Sequence, residues 1–236
     1  LDESKDQLVV ATNAAFEPFE YKDGENYLGI DMEIAALLAE SLGKELVIQH
    51  MDFDAVCLNV QQKKCDIAMA GLTVTEDRKE ILTFTDSYYK ASQLIIVPAA
   101  STEFDACADV AAVEAILNGK DAKVKVGVQT GTTGDIYCAG DYGEDAVMRF
   151  DNGALAITAL LNGQVDCVVI DNEPAKAFVA ANEGLKILES AYAVEDYAAA
   201  MSKDNAELYE AVNKALEELI ADGTVASIIA KYIPAE

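Results

Sequence analysis

The stretch Gly71-Leu72-Thr73-Val74-Thr75-Glu76-Asp77-Arg78 follows an apolar run ending at Ala70 and enters a helix that Thr75 can cap. A loop of that kind aims backbone N–H groups at an anion. Its glycine admits a ligand close to the chain, and Arg78 can hold a carboxylate with two parallel bonds. Gln129-Thr130-Gly131-Thr132-Thr133-Gly134 repeats the arrangement, again after a strand and before a helix. Either loop alone reads equally well as a structural turn, and neither excludes a phosphate. Asp171 adds an acidic group after a third strand, Val165 to Ile170. A carboxylate clamp joined to an acidic partner for an ammonium describes the zwitterion of a free amino acid.

Other chemistry is sparse. The single histidine, His50, ends a predicted strand and reads as a hydrogen-bonded or exposed side chain. No HExxH, GxSxG or P-loop motif occurs, so hydride and phosphoryl transfer have no support. Cys57, Cys65, Cys107, Cys138 and Cys167 form no CxxC pair, and their odd number leaves at least one outside any intrachain disulfide. They read as ordinary buried or half-buried thiols, with one disulfide left open. The 42 acidic against 17 basic residues give a net charge of -25, which repels phosphate backbones and anionic lipid headgroups. Nucleic acid is therefore excluded as a partner. No apolar run approaches the roughly 20 residues that span a bilayer, and Leu1 to Gln7 lacks the blocks of a signal peptide. Any targeting segment is expected to have been removed.

Short apolar strands alternating with helices, the pattern of an α/β fold with parallel sheets, would place these loops at strand ends. Leu8 to Thr12 reads as a strand, and Asp31 as the cap of a helix running to Gly43. Glu45 to Gln49, a helix from Phe53 to Gln62, and a strand Asp66 to Ala70 follow. Leu94 to Val97 closes this unit, and Pro98 marks an exit. The pattern restarts at Val124 to Val128, then a helix near Asp135, a helix Ala154 to Leu161 and the strand before Asp171. Gln62-Lys63-Lys64-Cys65-Asp66 echoes Asn162-Gly163-Gln164-Val165-Asp166, which suggests two lobes built from similar units. Helices at Ala206 to Ala221 and Thr224 to Tyr232 end the chain, with Leu208, Val212, Leu216 and Ile220 on one stripe facing the first lobe.

Phe16-Glu17-Pro18-Phe19-Glu20-Tyr21, Leu28-Gly29-Ile30-Asp31, the run Asp66 to Arg78, Phe84-Thr85-Asp86-Ser87-Tyr88-Tyr89, and Val126-Gly127-Val128 with Gly131-Thr132-Thr133-Gly134 together carry a resemblance. Over nearly its full length the chain resembles the polar amino-acid-binding proteins of bacterial ABC importers, solute-binding protein family 3 of the type II periplasmic binding protein superfamily. The resemblance implies a two-lobed α/β fold, each lobe a mostly parallel sheet flanked by helices, joined by two hinge crossings near Ile95 to Ala99 and Val194 to Ala199. Residues 1–96 plus 197–236 would form one lobe and 97–196 the other.

By the same resemblance, Arg78 binds the ligand's α-carboxylate with Thr73 and with Thr132 or Thr133. Asp171 and the Gly71 carbonyl take the α-ammonium, Phe16 and Phe53 sandwich the ligand side chain, and Asn13 meets its far end. Core packing is the alternative for the two phenylalanines. Glu17 and Cys65 depart from the family pattern at a pocket rim and one turn. Asn13, Glu17 and Asp86 facing a polar tail lean the ligand towards arginine or lysine, with glutamine or cystine as neutral alternatives. A monomeric, extracytoplasmic protein is implied, periplasmic or a surface lipoprotein, serving an ABC transporter permease without a cofactor or metal. Two rivals share the scaffold. A dehydratase of prephenate or arogenate would need a buried acid among Glu17, Glu20 and Glu173, and nothing in the sequence marks one as buried. A sensor's ligand-binding domain would need a following coiled coil or membrane segment, and none is expected after Ile233-Pro234-Ala235-Glu236.

Overall fold

The computed structural model describes residues 6–102, 104, 111–112, 115–116, 124–188 and 192–234. Its contacts divide the chain into two units, residues 1–90 with 196–236, and residues 91–195. In the first unit β1 (Gln7–Thr12) lies between β5 (Glu45–His50) and β6 (Ile67–Ala68), parallel to both. Parallel neighbours cannot be joined by a tight turn. The crossovers are α1 (Ile30–Ser41), reached through the small sheet of β2 (Ala15–Phe16), β3 (Glu20–Asp23) and β4 (Asn26–Leu28), and then α2 (Phe53–Gln61). The short helix α3 (Glu76–Ile81) follows β6 and leads into β7 (Leu82–Phe84). β7 and β14 (Ala200–Ser202) complete the sheet as antiparallel strands. Val9 and Ala11 pack with Val56, Val60, Leu72 and Leu82 into one core cluster. Each such Val or Leu contributes about 1.5–3 kcal/mol when fully buried.

The second unit repeats the logic. β9 (Val126–Gln129) runs parallel to β10 (Val147–Phe150) and β11 (Cys167–Asp171), with α4 (Thr133–Tyr142) and α5 (Gly153–Leu161) as crossovers. β8 (Tyr89–Pro98) and β12 (Leu185–Ile187) close this sheet as antiparallel strands, and β13 (Ala193–Tyr197) also pairs with β8. The strand expected over Leu94 to Val97 as the end of the first unit's sheet is thus part of the longer β8, held by β11 and β12. Its residues Ile95 and Val97 are fully buried in the second core, beside Val126, Val128 and Val169. Helix α6 (Asn172–Ala181) follows Asp171 directly. The chain ends on α7 (Ala206–Ala221) and α8 (Thr224–Tyr232), both packed on α1.

The echo between the two units is physical. The Lys63 and Gly163 N–H groups donate to the carbonyls of Val60 and Leu160, each at 3.0 Å, and both residues sit at positive φ, 59° and 68°. The Asp66 carboxylate accepts from the Val9 N–H at 2.8 Å, as the Asp166 carboxylate accepts from the Lys125 N–H at 2.8 Å. Each aspartate spends its side chain on tying a strand entry to its neighbour. The strand expected over Asp66 to Ala70 accordingly narrows to β6.

Other expectations change in detail. Asp31 does not cap α1. Gly29 occupies that position, and Asp31 turns its side chain inward and is fully buried. On α7 the buried residues are Val212, Ala215 and Leu216, whereas Ile220 is 39 % exposed. Cys57, Cys65 and Cys138 are free thiols, and Cys107 lies outside the described residues. Burial pushes the Cys57, Cys65 and Cys138 thiols up, which makes them poor nucleophiles.

Candidate ligand-binding site

In the first unit the candidate residues gather past the C-terminal ends of the parallel strands β1, β5 and β6, where α/β sheets place ligands. Asn13 follows β1, is 4 % exposed, and donates from its amide nitrogen to the Met51 carbonyl at 2.7 Å. Phe16 ends β2. Gly71 stands three residues past β6 at φ +52°, and a Cβ there would sit 2.8 Å from the Phe16 ring. The conformation and the ring both demand glycine.

Thr75 caps α3 by accepting from the Arg78 N–H at 3.2 Å, as its position predicts. Arg78 is buried in the first turns of that helix, although most arginines stay exposed. Its Nη1 donates to the Thr73 carbonyl at 2.8 Å, and its Cζ lies 5.5 Å from the Phe53 ring centroid. A planar guanidinium fixed by a backbone carbonyl and an aromatic face is a preorganised fork for a carboxylate. Phe16 is thus brought against Gly71, and Thr73 and Phe53 against Arg78, with Asn13 at the neighbouring strand end. Glu17 and Asp86 are exposed, and Asp86 holds Asn213 through its backbone N–H. His50 is exposed and its Nδ1 accepts from the Ala14 N–H at 3.0 Å.

The second unit carries Thr132, Thr133 and Asp171. Thr132 caps α4, accepting from the Asp135 N–H at 3.3 Å and donating to the Gln129 carbonyl at 2.8 Å. Thr133 is 2 % exposed, and its hydroxyl accepts from the Gln93 amide at 3.3 Å. Asp171, 6 % exposed, ends β11 directly opposite Gln93 of β8. Gln93 therefore stands between the two, and its amide also donates to Glu195 at 3.0 Å.

Sequence reasoning passed over Gln93 and Glu195, whose pairing joins positions 102 residues apart. It also passed over the brace on the second loop. Asp135 accepts from the Gly131 N–H at 3.0 Å and holds Arg149 with both oxygens, at 2.8 and 2.9 Å. The Thr132-x-x-Asp135 spacing of a capping box was a legible signal for part of that brace.

Nothing in either set resembles a catalytic apparatus; both present fixed donors and acceptors at strand ends, which is the equipment of a binding protein built on an α/β sheet. The model of the bacterial extracellular solute-binding proteins, family 3, matches residues 8–235, and the chain belongs to that family. As a member of that family it is an extracytoplasmic solute-binding protein rather than an enzyme. Arginine-binding extracellular protein ArtP of Bacillus subtilis is 29 % identical over all of this chain and 89 % of its own length. Among solved structures, an ancestral arginine-binding protein bound to glutamine is 36 % identical with a TM-score of 0.86, over 98 % of this chain and 99 % of its own. The arginine-, lysine-, histidine-binding protein ArtJ from Geobacillus stearothermophilus is 30 % identical with a TM-score of 0.86, over 98 % of this chain and 96 % of its own.

Proposed function

We propose that this chain captures a free polar amino acid, arginine or lysine ahead of glutamine and cystine, and as a monomer hands it to the permease of an ABC importer, from the periplasm or from a lipid anchor on the cell surface. The observation that carries the reading is the buried Arg78 guanidinium, oriented by the Thr73 carbonyl and the Phe53 ring at a strand end. Such a group suits an α-carboxylate. In this reading Thr73 and Thr132 or Thr133 assist Arg78, Asp171 and the Gly71 carbonyl receive the ammonium, Phe16 and Phe53 flank the side chain, and Asn13 reads its far end. The relatives named for arginine, lysine and histidine support a cationic ligand, and the ancestral protein holding glutamine supports the neutral alternative.

A thermal-shift panel of the common amino acids tests the reading, because a ligand at 100 times its Kd stabilises by about 2.7 kcal/mol. Arginine or lysine should give the largest shift. A melt moved by sugars or metal ions and by no amino acid would sink the proposal. Closure of the two lobes on the ligand belongs to the same reading, the first unit, residues 1–90 with 196–236, moving against the second, residues 91–195. Scattering from an initially open protein should then report a smaller radius of gyration at saturating arginine.

A further inference from the structure

Gln93 of β8 is 1 % exposed, and the recognition set gives no part to a buried carboxamide there. Its Nε2 donates to Glu195 Oε2 of β13 at 3.0 Å and to the Thr133 hydroxyl oxygen at 3.3 Å, which uses both of its hydrogens. Reversing the amide would set its oxygen against the Glu195 carboxyl oxygen, so Glu195 fixes which way it faces. The amide's own oxygen has no hydrogen-bond partner among the described residues and lies 3.0 Å from where a Cβ of Gly134 would stand. Glycine weakens a helix, and Gly134, in the first turn of α4, needs no positive φ. What it supplies is the notch in which the amide lies. Gln93, Thr133, Gly134 and Glu195 all belong to the second unit.

The consequence falls on one proton. A hydroxyl carries a single hydrogen, and Thr133, which accepts from Gln93, donates to no group among the described residues. Thr132 differs. Its hydrogen goes to the Gln129 carbonyl at 2.8 Å while its oxygen accepts from the Asp135 N–H at 3.3 Å, so that hydroxyl is committed at both ends. We infer that Gln93, oriented by Glu195 and seated in the notch at Gly134, is a positioning residue that makes the Thr133 hydroxyl a donor to the ligand's α-carboxylate. The inference deepens the reading above and rests on it for one point, that Thr133 meets the carboxylate. With an amide hydrogen against its oxygen, the hydroxyl turns its own hydrogen away from Gln93. A freely turning hydroxyl would as readily present a lone pair, which repels an anion.

A double-mutant cycle on the full chain, read by calorimetry with arginine and checked for folding by circular dichroism, tests this. Thr133→Val keeps the shape and removes the hydroxyl, and should weaken arginine by about ten- to a hundredfold. Gln93→Met keeps the length and removes the donor, and should weaken it by about three- to tenfold. In the Thr133→Val background Gln93→Met should cost less than about a further twofold, because no hydroxyl is left to orient. A merely structural role would exact its full cost there, so additive losses overturn the inference while leaving Thr133 at the carboxylate. Wild-type affinity in folded Gln93→Met does the same. Wild-type affinity in folded Thr133→Val is a different failure, which removes Thr133 from the site and the inference with it. Should Gln93→Met fail to fold, Gly134→Ala leaves Gln93 in place but sets a methyl group 3.0 Å from its amide oxygen. That variant must shift the side-chain amide signals of Gln93 in glutamine-labelled protein and weaken arginine at least about threefold, with no further loss when combined with Thr133→Val. Unmoved signals or unmoved affinity overturn the inference equally.

Discussion

Arg78 spends one nitrogen on the Thr73 carbonyl and rests near the Phe53 ring, so the direction of its fork is set before a ligand arrives. Preorganisation of that kind makes truncation costly, because a desolvated carboxylate would lose its partner. Arg78→Ala should weaken capture by roughly 2–5 kcal/mol, about 30-fold to several thousand-fold, for every amino acid bound. Arg78→Lys should also fail substantially, since an ammonium lacks the planar fork. Calorimetry with folding checked by circular dichroism decides this. Near-native affinity in a folded Arg78→Ala protein would remove the clamp. Asn13→Ala should instead reorder the panel of ligands. A pH effect belongs to Asp31. Its carboxyl is raised by burial from 3.8 to about 6, so the folded chain holds a proton that the unfolded chain has released. The stability it contributes is complete below about pH 4 and is lost as pH rises through about 6, a loss of roughly 3 kcal/mol. Urea unfolding should show a steeper decline between pH 4 and 7 in wild type than in Asp31→Asn, and parallel curves would contradict the assignment. Arg78, Thr73 and Gly71 were legible because they crowd one loop. Gln93 and Glu195 were not, because a polar residue's burial is decided by partners far along the chain.

The turn before each central strand shows what elements demand of sequence. At Gly163 the chain takes φ 68° with nothing within 4 Å of where a Cβ would stand, so glycine serves backbone conformation alone. Lys63 meets the same demand at φ 59° with a side chain, where the left-handed region costs a non-glycine residue about 1–2 kcal/mol. Its ion pair with Asp204, at 3.1 Å between exposed groups, returns little. Lys63→Gly should therefore stabilise by about 0.5–1 kcal/mol after the greater freedom of glycine in the unfolded chain is discounted, and Gly163→Ala should destabilise by about 1 kcal/mol or more. Chemical unfolding of both variants checks the pair, and a destabilised Lys63→Gly would show that the turn is held by the lysine side chain. Periodicity made most elements legible, including α7 and α8, although the apolar stripe on α7 stopped short of burying Ile220. It placed the Leu94 to Val97 strand in the wrong sheet because an apolar run records burial and not the neighbour that buries it. It likewise read Asp31 as a cap, since an aspartate near a helix start looks the same whether it serves its own helix or a loop 40 residues away.

A chain with a net charge of -25 surrounds itself with a negative field that no single residue carries. The field leaves the close contacts that set preference untouched, because those act over a few ångströms, but it acts on every charged molecule that approaches. Cationic arginine and lysine should be drawn in, whereas glutamine, neutral overall, should be indifferent. Steering of this kind falls with ionic strength as the Debye length shrinks from about 30 Å at 0.01 M salt to about 8 Å at 0.15 M. The expected outcome is an arginine association rate that drops on the order of fivefold across that range, with lysine behaving alike and glutamine changing less than about twofold. Dissociation rates should stay nearly constant, since they report the desolvated clamp. Stopped-flow can use the protein's own fluorescence, because the chain has 10 tyrosines and no tryptophan. Equal salt dependence for arginine and glutamine would mean that the field at the approach to the site is not negative, and that the acidic surplus lies where an incoming amino acid does not feel it. A salt effect confined to dissociation would place the charge sensitivity in the bound complex, at groups touching the ligand's side chain, and would replace steering by direct contact as the role of the surplus.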